Sequence, residues 1–193
     1  MFIAEKGLDI PVVQVDLTNR EQHGPEFATV NPYRTVPVLE LDDGTCLTTS
    51  TGICHYLDFC FPEPPLMGRT SSQRGRVIDL DWRVEQEGFM AVGEAFRNKA
   101  KSFANNALTG QHSYRQIDGL VERGRIRTEH FFDWLDGQLK SNEYLAGDFF
   151  SIADITALAT VDFSKYIKVL PQEQHVNIQR WHNAVSSRPS ARL

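Results

Sequence analysis

Cysteine is scarce in this chain, and none of it is paired by spacing. Cys46, Cys54 and Cys60 form no CxxC, and three thiols cannot build a disulfide framework. A disulfide-stapled secreted class is thereby excluded, and a reducing, cytoplasmic compartment is expected. No apolar run approaches the about 18 residues of a membrane helix. The start, Met1-Phe2-Ile3-Ala4-Glu5-Lys6-Gly7, lacks the basic stretch and apolar core of a signal peptide. Lysine and arginine form no stripe, and a formal charge of −5 repels phosphate backbones, so nucleic acid is not an expected partner. The six histidines show no ligand spacing, and no metal is expected. There is no internal repeat and no low-complexity tract.

What is present is an ordinary globular composition. The 193 residues are 41% hydrophobic and 23% charged, enough for one large unit or two small ones with a real core. Phe2 to Lys6 reads as the end of a helix stopped by Gly7. Val12-Val13-Gln14-Val15-Asp16-Leu17 is β-branched and partly alternating, which predicts a strand. Pro25 to Val30 is a short helix candidate. Pro37-Val38-Leu39-Glu40-Leu41 and Thr45-Cys46-Leu47 flank Asp42-Asp43-Gly44, the pattern of a β-hairpin. Thr48-Thr49-Ser50 supplies capping hydroxyls before the helical spacing of Ile53, Tyr56 and Leu57, with Cys54 read as a core residue rather than a nucleophile.

Pro62, Pro64 and Pro65 bar any helix or central strand from residues 61–68, which predicts a linker between a unit at 1–60 and a unit at 69–193. No strand is expected beyond it. One long helix is predicted from Ser72 to about Arg97, weakened by Gly75, Gly88 and Gly93, and a second from Gln116 to Leu139. A third opens at Ser151-Ile152-Ala153-Asp154, where Ser151 and Asp154 can form a capping box stapled by Phe150 and Ile155. A last helix carries Ile178, Trp181 and Val185 and ends before Arg188-Pro189.

Asn31-Pro32-Tyr33-Arg34-Thr35-Val36-Pro37-Val38-Leu39, followed by Leu47-Thr48-Thr49-Ser50-Thr51-Gly52-Ile53, resembles the glutathione-site region of bacterial-type cytosolic glutathione S-transferases. Phe150-Ser151-Ile152-Ala153-Asp154 and the ending Trp181-His182 to Arg188-Pro189-Ser190 are similar to that family's second domain. The resemblance implies an α/β plus all-α fold, a thioredoxin-like domain followed by a helical one. It implies glutathione as co-substrate, a small electrophile as second substrate, and a homodimer. The last is also suggested by more apolar positions on the first long helix than one face needs. By resemblance, the Val36-Pro37 bond is cis and Val36 pairs with the cysteinyl part of glutathione. Thr49 and Ser50 would hold the γ-glutamyl end. Such chemistry is reasonable: a strand edge holds an extended peptide, and a helix N-terminus receives a carboxylate. Phe89 and Phe96 are candidates for an acceptor pocket, and equally for core or a dimer face.

Three positions depart from the family pattern. Its thiol-activating Tyr, Ser or Cys lies between a first strand and first helix, and this sequence starts inside that helix, so the catalytic residue is unknown. A start placed too far downstream, or a chain without its beginning, is the expectation, with a non-catalytic binding or dimerisation module as the alternative. A specialised lyase or isomerase using glutathione is a further option. Thr49 stands where the family has Glu, at a cost in ammonium binding of roughly ten- to hundredfold. Arg34 stands where it has Gly.

Overall fold

The structure, a computed structural model, describes residues 1–192. Helix α1 (Phe2–Glu5) ends in a Schellman turn: Gly7 donates to Ala4 O at 3.0 Å and Leu8 to Ile3 O at 3.1 Å. Gly7 has φ 63°, a value that favours a residue without Cβ. The chain then departs from expectation. Residues 12–17 form no strand, and Val12 and Val13 are 73% and 89% exposed. Alternation is a local signal, whereas a strand exists only by pairing, and the backbone of residues 9–15 makes no hydrogen bond among the described residues. Asp16 reverses the chain instead, its carboxylate accepting the N–H groups of Thr18 and Asn19 at 2.9 and 3.0 Å.

Helix α2 (Pro25–Val30) begins with proline at its first position, as its missing N–H permits. Strands β1 (Leu39–Glu40) and β2 (Cys46–Leu47) form the expected antiparallel hairpin, with Leu39 opposite Leu47, Glu40 opposite Cys46, and Gly44 at φ 81° in the turn. Helix α3 (Ser50–Cys60) follows, capped by Thr49. Residues 61–68 contain neither helix nor strand. They are tied down by Lys6, whose ammonium donates to Asp58 Oδ1, Phe61 O and Pro64 O at 2.6, 2.8 and 2.7 Å. Arg74 reaches the other oxygen of Asp58 at 2.9 Å, so one buried carboxylate joins α3 to Lys6 at the end of α1 and to Arg74 of helix α4 (Ser71–Arg83).

The first long helix is a continuous rod made of α4 (Ser71–Arg83), a π-helical stretch (Val84–Phe89) and α5 (Met90–Lys99). Two glycines let helices approach closely. A Cβ at Gly88 would lie 2.8 Å from the Phe131 ring, and one at Gly124 would lie 2.6 Å from Ala91 O. Helix α6 (Asp118–Leu139) supplies Phe131, Phe132, Leu135 and Leu139 to the core that also holds Val77, Leu80 and Val84 of the rod. Helix α7 (Ile152–Ser164) opens with Asp154 reaching back to the Ser151 N–H. Burial pushes the Asp154 carboxyl up, while donors at Leu145, Ser151 and Trp181 Nε1 pull it down. Helix α8 (Val176–Ser186) buries Ile178, Trp181 and Val185, as its spacing predicts. It has no side-chain cap of its own; Asp136 of α6 receives the Asn177 and Ile178 N–H groups at 2.9 and 3.0 Å. The chain ends meet: Arg188 forks the Glu5 carboxylate at 2.9 and 2.7 Å and lies over the Phe150 ring.

Candidate functional site

The turn leaving α2 sets the first half of the site. Arg34 takes φ 57°, so the left-handed backbone survives although arginine stands where the resembled pattern has glycine. Val36 follows two residues later, 39% exposed, and the Val36-Pro37 peptide is cis, as the resemblance implied. Neither the N–H nor the C=O of Val36 has a hydrogen-bond partner among the described residues. A free donor and acceptor side by side, ahead of a proline that cannot join a ladder, form an edge on which an extended chain can pair.

The hairpin brings the second half alongside. Its register, Leu39 to Leu47 and Glu40 to Cys46, carried outward runs Pro37 toward Thr49 and Val36 toward Ser50. Thr49, rather than Ser50, is the N-cap of α3, its hydroxyl accepting the Gly52 N–H at 3.1 Å. Ser50 occupies the first helical position, and the Ser50 and Thr51 N–H groups have no acceptor among the described residues. No acid stands in this first turn, so the positive helix end is uncompensated. Val36 and Pro37 enter one strand of the hairpin, and Thr49 and Ser50 leave the other, with chemistry suited to a peptide main chain and a carboxylate.

Phe89 and Phe96 do not touch each other; Phe163 of α7 joins them, at ring-centroid distances of 5.6 and 5.2 Å. Phe103 and Tyr166 extend the cluster at 5.5 and 5.9 Å from Phe96. Arg97 lies 4.2 Å over the Phe103 ring and donates to the carbonyls of Ala107 and Asn106 at 3.1 and 2.6 Å, holding the loop after α5. That loop meets the first half. Arg20 donates to Ser102 O at 3.4 Å, and a methyl on Gly110 would sit 3.9 Å from Tyr33 O. Sequence reasoning missed Phe103, Phe163 and Tyr166. The spacing of Phe163 and Tyr166 marks one helical face, but only tertiary packing places it against Phe96.

Other reactive groups are less promising. Burial, with help from the Asp81 charge, pushes the Cys54 thiol to about 12, in keeping with its reading as core. His175 has no free nitrogen, since Nδ1 accepts the Gln172 N–H and Nε2 donates to Asp133. A cleft of about 400 Å³ beside Pro65, Leu66 and Phe149 takes in none of the six predicted site residues. Its cations are already paired, Arg188 with Glu5 and Arg69 with Glu63.

Comparison with known proteins agrees with this geometry. Residues 1–59 match the glutathione S-transferase N-terminal domain, and residues 90–189 match the glutathione S-transferase C-terminal domain. Glutathione S-transferase 2 of Saccharomyces cerevisiae is 32% identical over 192 residues, covering 98% of this chain and 80% of that protein. The crystal structure of Gtt2 from the same yeast superposes with a TM-score of 0.88 at 31% identity, over 99% of this chain and 90% of the other. A glutathione S-transferase domain-containing protein from Marinobacter aquaeolei gives 0.89 at 32% identity, over 98% and 91%. A thioredoxin-like first half with a short hairpin, a helical second half and matches across both place this chain in the glutathione S-transferase family.

Proposed function

We propose that this chain holds glutathione and presents its thiolate to a small electrophile. The reading rests on one observation: the Val36 N–H and C=O are unpaired, just ahead of a hairpin whose second strand leads into the open N-terminus of α3. Val36 pairs with the cysteinyl main chain, Pro37 shapes the edge, and the Ser50 hydroxyl and helix end take the γ-glutamyl carboxylate. Thr49 offers the nearby ammonium only a neutral hydroxyl. Phe89 and Phe96, with Phe163, supply an apolar wall for the electrophile. A free thiol is only a few per cent ionised at neutral pH and must be activated; none of these residues is assigned that role. With an aryl halide, the thiolate pair attacks the electrophilic carbon to form the carbon–sulfur bond, and the carbon–halogen bond breaks as halide leaves with its electron pair.

The working form is a homodimer of two-unit protomers, residues 1–60 and 69–193 joined by 61–68, in the cytoplasm. Exposed Ile78 and Trp82, one turn apart on α4, and exposed Phe59 on α3 support self-association. Among the described residues no helix is long and apolar enough to cross a membrane.

Calorimetric titration with glutathione tests the site. Ser50→Ala should weaken binding about tenfold, the loss of one hydrogen bond to a charged group. Wild type that binds no glutathione at millimolar concentration overturns the reading. Binding without turnover of any aryl halide would favour the alternative, a non-catalytic module, which the missing acid in the first turn of α3 also favours.

A further inference from the structure

One buried polar side chain beside Val36 has no role in this scheme. Asn31 is 0% exposed. Its N–H donates to Phe27 O at 2.8 Å, which makes it the C-cap of α2. From that fixed point its carboxamide spans the turn. Nδ2 donates to Thr35 O at 2.7 Å and to Thr35 Oγ1 at 3.0 Å, and Oδ1 accepts the Tyr33 N–H at 3.0 Å. Its main-chain O accepts the Arg34 N–H at 2.9 Å. Pro32 has no N–H to place. The N–H groups of Tyr33 and Arg34 and the C=O of Thr35 therefore all end on this one residue.

We propose that Asn31 is the positioning residue of the pocket: its carboxamide fixes Thr35 and thereby aims the N–H of Val36 at the ligand. This inference rests on the glutathione reading of Val36. The Thr35 C=O and the Val36 N–H belong to the same peptide plane, so anchoring one orients the other. Arg34 needs the support, because a non-glycine residue in the left-handed region is disfavoured unless its surroundings hold it. No other side chain fits the pattern. Aspartate keeps the size but turns an acceptor toward the Thr35 carbonyl, glutamine overfills a closed site, and alanine leaves the Thr35 carbonyl and Tyr33 N–H unpaired.

The test compares wild type, Asn31→Asp and Thr35→Val by glutathione titration and amide NMR, with unfolding midpoints recorded alongside. In wild type, glutathione should shift the Val36 and Ser50 amide resonances. In folded Asn31→Asp the Ser50 shift should persist, the Val36 shift should vanish, and the dissociation constant should rise at least about tenfold. Loss of both shifts together in a variant that still unfolds cooperatively would overturn a positioning role. Unchanged affinity with the Val36 shift intact also overturns it. Should Asn31→Asp not fold, Thr35→Val decides, since it removes only the hydroxyl contact. A dissociation constant raised about threefold supports the proposal, and an unchanged one refutes it. If wild type binds no glutathione, the glutathione reading falls by itself. The turn is then read in the free protein, where Tyr33 and Arg34 amide exchange must accelerate in the variants.

Discussion

Lys6 offers the sharpest test of what joins the two halves. Its side chain is 0% exposed and that of Asp58 is 1% exposed. The ammonium has three N–H bonds, and three oxygens lie at 2.6 to 2.8 Å to receive them. Lys6→Met keeps most of the stem and removes the charge. Phe61 O then loses its donor, Pro64 O retains only the Leu66 N–H, and Asp58 is left with Arg74, which is 41% exposed. Breaking a buried pair from one side costs about 3–5 kcal/mol. The surviving Arg74 contact argues for the lower end, about 3 kcal/mol, roughly a hundredfold fall in the folded-to-unfolded ratio. Urea unfolding followed by the fluorescence of buried Trp181 should show a lower midpoint with an unchanged slope. Lys6→Met with Asp58→Leu should cost less than the sum of the single changes, because the stranded carboxylate is gone. A single-variant loss below about 1 kcal/mol would refute the reasoning, and would mean that water reaches the site.

Three further outcomes are expected. Gly124→Ala should destabilise by about 3 kcal/mol as its methyl meets Ala91 O at 2.6 Å, while Gly137→Ala, with nothing within 4 Å, should stabilise by up to about 1 kcal/mol; equal effects in denaturation would contradict the packing. Glu5 is held below its ordinary 4.5, chiefly by the Arg188 hydrogen bond, so its contribution is present above 4.5 and lost as pH falls through the lower folded value. Stability measured against pH should show Glu5→Gln weaker than wild type at neutrality and level with it in acid. Cys54, at about 12, is thiolate in only about one molecule in ten thousand at pH 8, so native-state alkylation should label exposed Cys60 and reach Cys54 only on unfolding.

Local signals were legible where one helix or one turn carries its own pattern. Ile178, Trp181 and Val185 marked the buried face of α8, Asp154 its place in the opening of α7, and Gly44 the hairpin turn. The site residues Val36, Pro37, Thr49 and Ser50 were legible as two strings, and the hairpin is what turns the second back along the first. What failed was whatever depends on a second element. The alternating valines at 12–15 looked like a strand, yet pairing is absent among the described residues. The cap on α8 comes from Asp136, forty-one positions earlier, and no local motif announces it. Gly88 read as a weakness in the long helix, whereas its missing side chain is what admits the Phe131 ring.

The bond between Glu5 and Arg188 spans 183 positions, and that separation matters while the chain is being made. Helix α1 leaves the ribosome well before its fork partner Arg188 and the Ser190 hydroxyl. The fastening of α1 therefore waits for Arg188 to emerge, an interval in which Phe2 and Glu5 are without this anchor. A premature stop after Val185 would release a product with nearly every helix intact and its first helix unfastened.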